Sequence, residues 1–305
     1  AMPEVKATDS VYLMSYFKAS AQHLFYAYSR DGKTWTDING SRPVFNAYDD
    51  EVWLRDPYLH RVTHNGKTKF HLIHTWGWDH PALFHWESDD LIHWTAANGG
   101  TRTDDGKIML MDGHDGGPVS PNAWAPEFTY DGQTGTFYLY WSSRIGDRQV
   151  HHYCTTKDWL TFSTPAVYFD PGFTAIDMTI LKEGDTYYAY YKDERNGEKT
   201  IRCATSKSLD PRVQRFEGST PLLPSRYIEV EGPEVFPAMG GKGWFLYFDK
   251  FNGDRGVSYT GCTDPSQHKW YPIPDDEIRN PTEVKHGSVE IISTAELEKL
   301  LEHFK

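Results

Sequence analysis

Apolar and aromatic residues in this chain gather in short runs rather than in helical stripes. Five such runs, Val11 to Phe17, Lys69 to Thr75, Thr136 to Ser142, Thr186 to Lys192 and Gly243 to Asp249, are rich in Tyr, Phe, Trp, Leu and Ile. Those are the side chains that a half-buried pleated surface selects. After each run comes a second strand-like segment ending in small polar residues, and then an aromatic that closes the unit. The clearest copies are Phe25-Tyr26-Ala27-Tyr28-Ser29-Arg30-Asp31-Gly32-Lys33-Thr34-Trp35 and Phe84-His85-Trp86-Glu87-Ser88-Asp89-Asp90-Leu91-Ile92-His93-Trp94. Weaker copies start at His151, Ile201 and Val257 and close at Phe162, Phe216 and Trp270. Helical periodicity is confined to the tail, where Thr294 offers a hydroxyl cap ahead of Leu297, Leu300 and Leu301.

Repeats of this length, each holding several antiparallel strands, match propeller blades better than a sandwich, whose turns recur every 8 to 12 residues without a longer period. The expected fold is an all-β, five-bladed β-propeller forming one domain over residues 1–305, with approximate repeats at 10–38, 53–95, 124–163, 176–216 and 231–273. A segment at 286–293 is placed to close the ring, and a short helix covers 294–303. Two stacked β-sandwiches are the rival architecture.

Composition narrows the partners. Against 31 basic residues stand 43 acidic ones, for a net charge of -12, so no basic stripe exists to neutralise phosphates, and nucleic acid or an anionic membrane surface is a poor fit. Mean hydropathy is -0.64, and no run approaches the 18 apolar residues of a spanning helix. A neutral oligosaccharide or polysaccharide fits better. The three cysteines, Cys154, Cys203 and Cys262, show no zinc-ligand spacing and read as buried structural thiols. Ala1-Met2-Pro3 lacks a charged, apolar leader. Localisation stays open, an extracellular or periplasmic site being the expectation where a leader has been removed.

The inner strand of every blade faces one central funnel, so the beginnings of the repeats are where chemistry converges. Four of them carry a carboxylate beside Pro or a small residue: Arg55-Asp56-Pro57-Tyr58, Trp124-Ala125-Pro126-Glu127, Ile176-Asp177-Met178-Thr179 and Glu231-Gly232-Pro233-Glu234. His286-Gly287-Ser288 takes the fifth place. Acidic residues entering apolar strands are costly unless paired or solvated, and four at matching positions suggest a shared task. Carboxylates crowded into one pocket repel, which keeps a proton on one while another stays ionised, the requirement of glycoside hydrolysis. Trp53, Trp76, Trp78 and Trp124 lie beside these motifs and are candidate sugar platforms.

These motifs resemble glycoside hydrolase family 43, five-bladed propellers acting on plant polysaccharides, over essentially the whole chain. The resemblance implies Asp56 as general base, Asp177 as modulator of the acid, Glu231 as general acid, and Glu127 as a support of the pocket. It also places His286 on the axis, beside water or a structural Ca²⁺, with no other cofactor required. The implied activity is an inverting, exo-acting hydrolase, with α-L-arabinofuranosidase first, β-xylosidase or exo-β-1,3-galactosidase next, and a non-catalytic glycan-binding propeller as the rival class. Inversion calls for an acid–base separation of about 6.5–9.5 Å. Arg144, Lys192, Asp193, Asp249 and Arg255 are further pocket candidates, Arg255 foremost as a cation near the acids.

Overall fold

In the computed structural model, which describes residues 9–45, 53–224, 227–251 and 256–305, the five hydrophobic runs become the second strands of five four-stranded antiparallel sheets. For the first run, whose strand is Ser10–Lys18, the inner position is taken from the other end of the chain. Gly287–Ser293 pairs with it from Ser10↔Ser293 to Tyr16↔Gly287, so the last strand is the innermost strand of blade one. The expected propeller and its closure are both present. Gly287 is required there, since a Cβ would meet Ser15 O at 1.9 Å.

The closing aromatics have one job in common: each packs against the preceding blade. Trp94 joins the cluster between blades one and two with Leu13, Leu24 and Trp86. Phe162 lies against Leu139 and Ile73 between blades two and three. Phe216, Trp270 and Trp35 complete the remaining three seams. A blade cannot bury its own two faces, and the repeat therefore stabilises only as a ring. Cys154, Cys203 and Cys262 are free and buried, and burial pushes all three thiols up, as structural cysteines require.

The turns before the closing aromatics of blades one to three are also built alike. Asp31 Oδ1 accepts the N–H groups of Lys33 and Thr34, Asp90 Oδ1 those of Ile92 and His93, and Asp158 Oδ1 those of Leu160 and Thr161. In blades two to four the outer strand lies past the closing aromatic, at Lys107–Met109, Ala166–Phe169 and Glu217–Pro221. Glu217–Pro221 is exposed throughout, so no apolar pattern marks it. The tail helix spans Thr294–His303, capped by Ser293 rather than Thr294: Ser293 Oγ accepts from Glu296 N and Glu296 caps Ser293 N in return.

Candidate active site

Four of the five inner strands carry the same irregularity. Arg55 pairs with Thr75 but Tyr58 with Ile73, and the same one-residue excess separates Trp124 from Glu127, Ile176 from Thr179 and Glu231 from Glu234. Each is a β-bulge, and the extra residue is held at positive φ: Asp56 52°, Ala125 48°, Asp177 60°, Gly232 60°. That conformation costs an L residue about 1 kcal/mol or more, and Asp tolerates it better than Ala. Bulges turn side chains out of the pleat. The inner strands are sheet edges, where Pro57, Pro126 and Pro233 lose no ladder bond.

This register corrects the reading of four matching carboxylates. Asp56 and Asp177 share the bulge position, Glu231 lies one residue earlier with Arg55, Trp124 and Ile176, and Glu127 lies two residues later, in register with Glu234. With the bulges turning side chains out of the regular alternation, the carboxylates separate into two groups. Asp56, Asp177 and Glu231 line a cavity of about 230 Å³ at the mouth of the funnel. Glu127 and Glu234, 3% and 2% exposed, sit below it and do not line it.

At the mouth, Asp56 receives Thr75 Oγ1–H at 2.7 Å on one oxygen and faces His286 Nδ1 at 2.9 Å with the other. Thr75 is itself held by the Ala125 N–H at 2.8 Å. Burial opposes ionisation of Asp56, yet His286, Arg55 and Thr75 together bring it below the usual carboxylate range. His286 Nε2 lies 3.4 Å from Glu234 Oε1. Burial disfavours the imidazolium, but Asp56 and Glu234 outweigh it and hold His286 charged well above the ordinary histidine range. Glu127 is pushed well up by burial and by Glu234, leaving it neutral, with Oε2 unpartnered.

On the opposite wall, Asp177 Oδ2 accepts the Gly232 N–H at 2.9 Å. Only glycine fits at 232, where a Cβ would meet His286 Cγ at 2.7 Å. Burial first, then Glu231 and Asp56, raise Asp177 to about 7, against the opposing pull of His286 and Lys192. Lys192 Nζ donates to Glu231 Oε2 at 3.1 Å and reaches Glu194 Oε1 at 2.5 Å. Asp249 is raised to about 7 by burial and by Glu231, with Lys285 at 3.5 Å opposing.

The proton on Asp177 carries a stability prediction. Its folded value lies about three units above the unfolded one, so its contribution is fully present below pH 4 and is lost as pH rises through 7. Asp177→Asn removes a cost on the order of 4 kcal/mol at most. We expect it to raise Tm at pH 8 by several degrees, with little change at pH 4. A Tm difference independent of pH would contradict this.

Of the aromatic candidates, Trp78 and Trp124 line the cavity. Trp124 Nε1 donates to Trp78 O at 2.8 Å, and the rings stand edge to face at 6.0 Å. Trp53 and Trp76 do not line it. Trp76 stacks on His80 at 3.8 Å and packs against the core of blades one and two. Trp53 bonds Trp76 through its backbone. Arg144 is exposed and Asp193 is tied to Arg195 and Arg202; neither lines the cavity. Arg255 lies outside the described residues, and the cation bonded to the acid is Lys192. Unforeseen members are Arg55, with its guanidinium 4.3 Å from the Trp78 ring, and Phe17, Thr75, Glu194 and Lys285. Arg55 and Lys285 adjoin Asp56 and His286 in sequence, which is the signal that could have found them.

Glu127, Glu234 and His286 place potential donor atoms within 4.8 Å of one another. A cation on the axis would meet these two carboxylates together with His286.

A sequence profile for the family 43-related group described as "Probable glycosyl hydrolase domain" matches residues 9–298. The chain belongs to this family. Family membership expected from the motifs is thus borne out. An α-L-arabinofuranosidase of Bifidobacterium longum subsp. longum is 27% identical over 249 residues, covering 66% of this chain and 22% of that protein. The chain therefore spans about a fifth of the curated relative it matches. Among solved structures, a family 43 β-1,3-galactosidase superposes with a TM-score of 0.65 at 12% identity, over 88% of this chain and 57% of that one. An endo-1,4-β-xylanase from Bacteroides thetaiotaomicron gives 0.61 at 15%, over 92% and 93%. At these identities the likeness is one of fold, and the family scaffold carries several substrate names. Among the described residues no helix is long and apolar enough to cross a membrane.

Proposed function

We propose that this chain is an inverting, exo-acting glycoside hydrolase that removes single α-L-arabinofuranosyl residues from plant cell-wall polysaccharides or their oligosaccharides. The observation that carries the reading is the convergence of Asp56, Asp177 and Glu231 on one small cavity, with the first held ionised and the second holding a proton near neutrality. A non-catalytic glycan-binding propeller has no need of that division.

In this reading Asp56 takes a proton from water, whose oxygen attacks the anomeric carbon on the face opposite the leaving group. Glu231 gives its proton to the glycosidic oxygen as that bond breaks. Asp177 sets the charge beside Glu231, and Lys192 orients the Glu231 carboxyl. The cavity, walled by Trp78 and Trp124, suits a terminal ring rather than an open chain. A Ca²⁺ ion taken up on the axis would be held by Glu127 and Glu234 beside His286; no step passes through it.

Aryl α-L-arabinofuranoside, β-xyloside and β-galactoside substrates, with the first-formed anomer followed by NMR, test the proposal. Release of inverted arabinose in preference to the other sugars is expected. A retained anomer, preference for xylose or galactose, or binding without hydrolysis overturns it.

A further inference from the structure

We propose that His71, His85 and Glu87 form a binding site for one divalent transition-metal ion of the zinc type, separate from the funnel and on the seam between blades two and three.

The placement follows from register. His71, on Lys67–Thr75, lies directly opposite Glu87 on the paired strand Ala82–Ser88. His85, two residues before Glu87, projects from the same face. His71 Nδ1 is 2.9 Å from His85 Nε2 and 3.9 Å from Glu87 Oε1, and the three donor atoms lie within 4.8 Å of one another. Ligand bonds of about 2.0–2.2 Å in a tetrahedron separate donor atoms by roughly 3.3 Å. The histidine pair needs to open by a few tenths of an ångström and the carboxylate to close by about as much.

The chemistry of the set is selective. Two imidazoles and one carboxylate suit zinc and its neighbours rather than calcium or magnesium, which take oxygen. Both rings are buried, and a neutral imidazole offers a lone pair on one ring nitrogen. The proton now shared between Nδ1 and Nε2 moves to the far nitrogen of its ring when the ion binds.

Orientation is also built in. The His85 ring lies flat on Trp159 at 3.7 Å and 5°, and His71 stacks beside it at 5.5 Å. Trp159 belongs to blade three, so the seam itself holds the two imidazoles in place. The nearby cation Lys69 is occupied by Asp89 at 2.8 Å. His85 lines a cavity of about 270 Å³ that also has Asn98 and Asp105 in its wall, which supplies a route in and room for water as fourth ligand.

The test uses the full chain without a histidine tag, freed of metal by a chelator and titrated with ZnCl₂ by calorimetry and thermal melting. One equivalent binding at about 1 µM or tighter, with a rise in Tm, is expected. Glu87→Gln, which keeps the shape of the side chain, is expected to weaken binding about tenfold or more, and His85→Gln to abolish it. Cu²⁺ at the site should show two nitrogen ligands by electron paramagnetic resonance. Circular dichroism identifies any variant that has not folded, and Glu87→Gln then decides alone. Absence of saturable binding by the wild-type protein, or binding equally tight in the folded Glu87→Gln variant, overturns the proposal.

Discussion

Asp56→Asn and Glu231→Gln should each lower hydrolysis of a natural glycosidic linkage by about a thousandfold or more, and the two losses should differ in kind. Glu231 is assigned to protonate the leaving oxygen, so an aryl glycoside whose phenolate leaves without a proton bypasses it. Glu231→Gln is expected to recover most of its lost rate on such a substrate. Asp56 is assigned to activate water, which every substrate needs, so Asp56→Asn should remain equally impaired on both. Both variants keep the size of the side chain and should melt within a few degrees of the parent. Equal rescue in both variants, or turnover unchanged in either, removes the residue from its role.

His286→Asn should show the next largest effect, on two separate readouts. The imidazolium lies between Asp56 and Glu234, and removing one partner of a buried ionic group costs about 3–5 kcal/mol because it leaves charge uncompensated. The signs of the two titrations agree on where this loss appears. His286 is raised, so its contribution is complete below its unfolded value near 6.5 and is lost only as pH climbs through the much higher folded value. Asp56 is lowered, so its contribution is present above about 3.9 and is lost as pH falls through the folded value. The pair therefore stabilises the fold throughout the neutral range, and the variant should melt lower across it.

The second readout is kinetic. Without His286 the Asp56 carboxyl loses the interactions that keep it ionised, and the base is protonated at a higher pH. The acidic limb of kcat/KM should move upward. A variant that melts lower with its acidic limb unmoved would make His286 a structural residue with no hold on the base. Combining His286→Asn with Glu234→Gln should restore part of the lost stability, since the second change removes one of the stranded charges.

The carboxylates were legible in the sequence because each stands at the start of a repeat, Asp56, Glu127 and Glu231 beside Pro or Gly, and Asp56, Asp177 and Glu231 do meet at one cavity. Their order of depth was not legible. Four bulges shift each inner strand by one residue, and no local signal in Trp124-Ala125-Pro126-Glu127 says that its carboxylate descends to the axis while that of Ile176-Asp177 stays at the mouth. Aromatics were ambiguous for a related reason: Trp76 and Trp78 are two residues apart, yet one joins a seam between blades and the other walls the cavity. His71 and His85 escaped notice because the spacing of a two-strand site depends on the length of the hairpin between them.

What the sequence by itself determined is the number of blades, the apolar strands at their centre and the aromatic that seals each seam, since these depend on alternation, turns and apolar bulk within some tens of residues. Charge and composition narrowed the class of partner to expect. The tertiary structure alone decided which groups share protons. Closing the ring brings His286, from the last strand, against Asp56 and Glu234 across 230 and 52 residues of chain. Burial at that junction then sets their charge states. A proton's affinity for a carboxylate depends on desolvation and on charges within a few ångströms, and neither exists until the ring is shut.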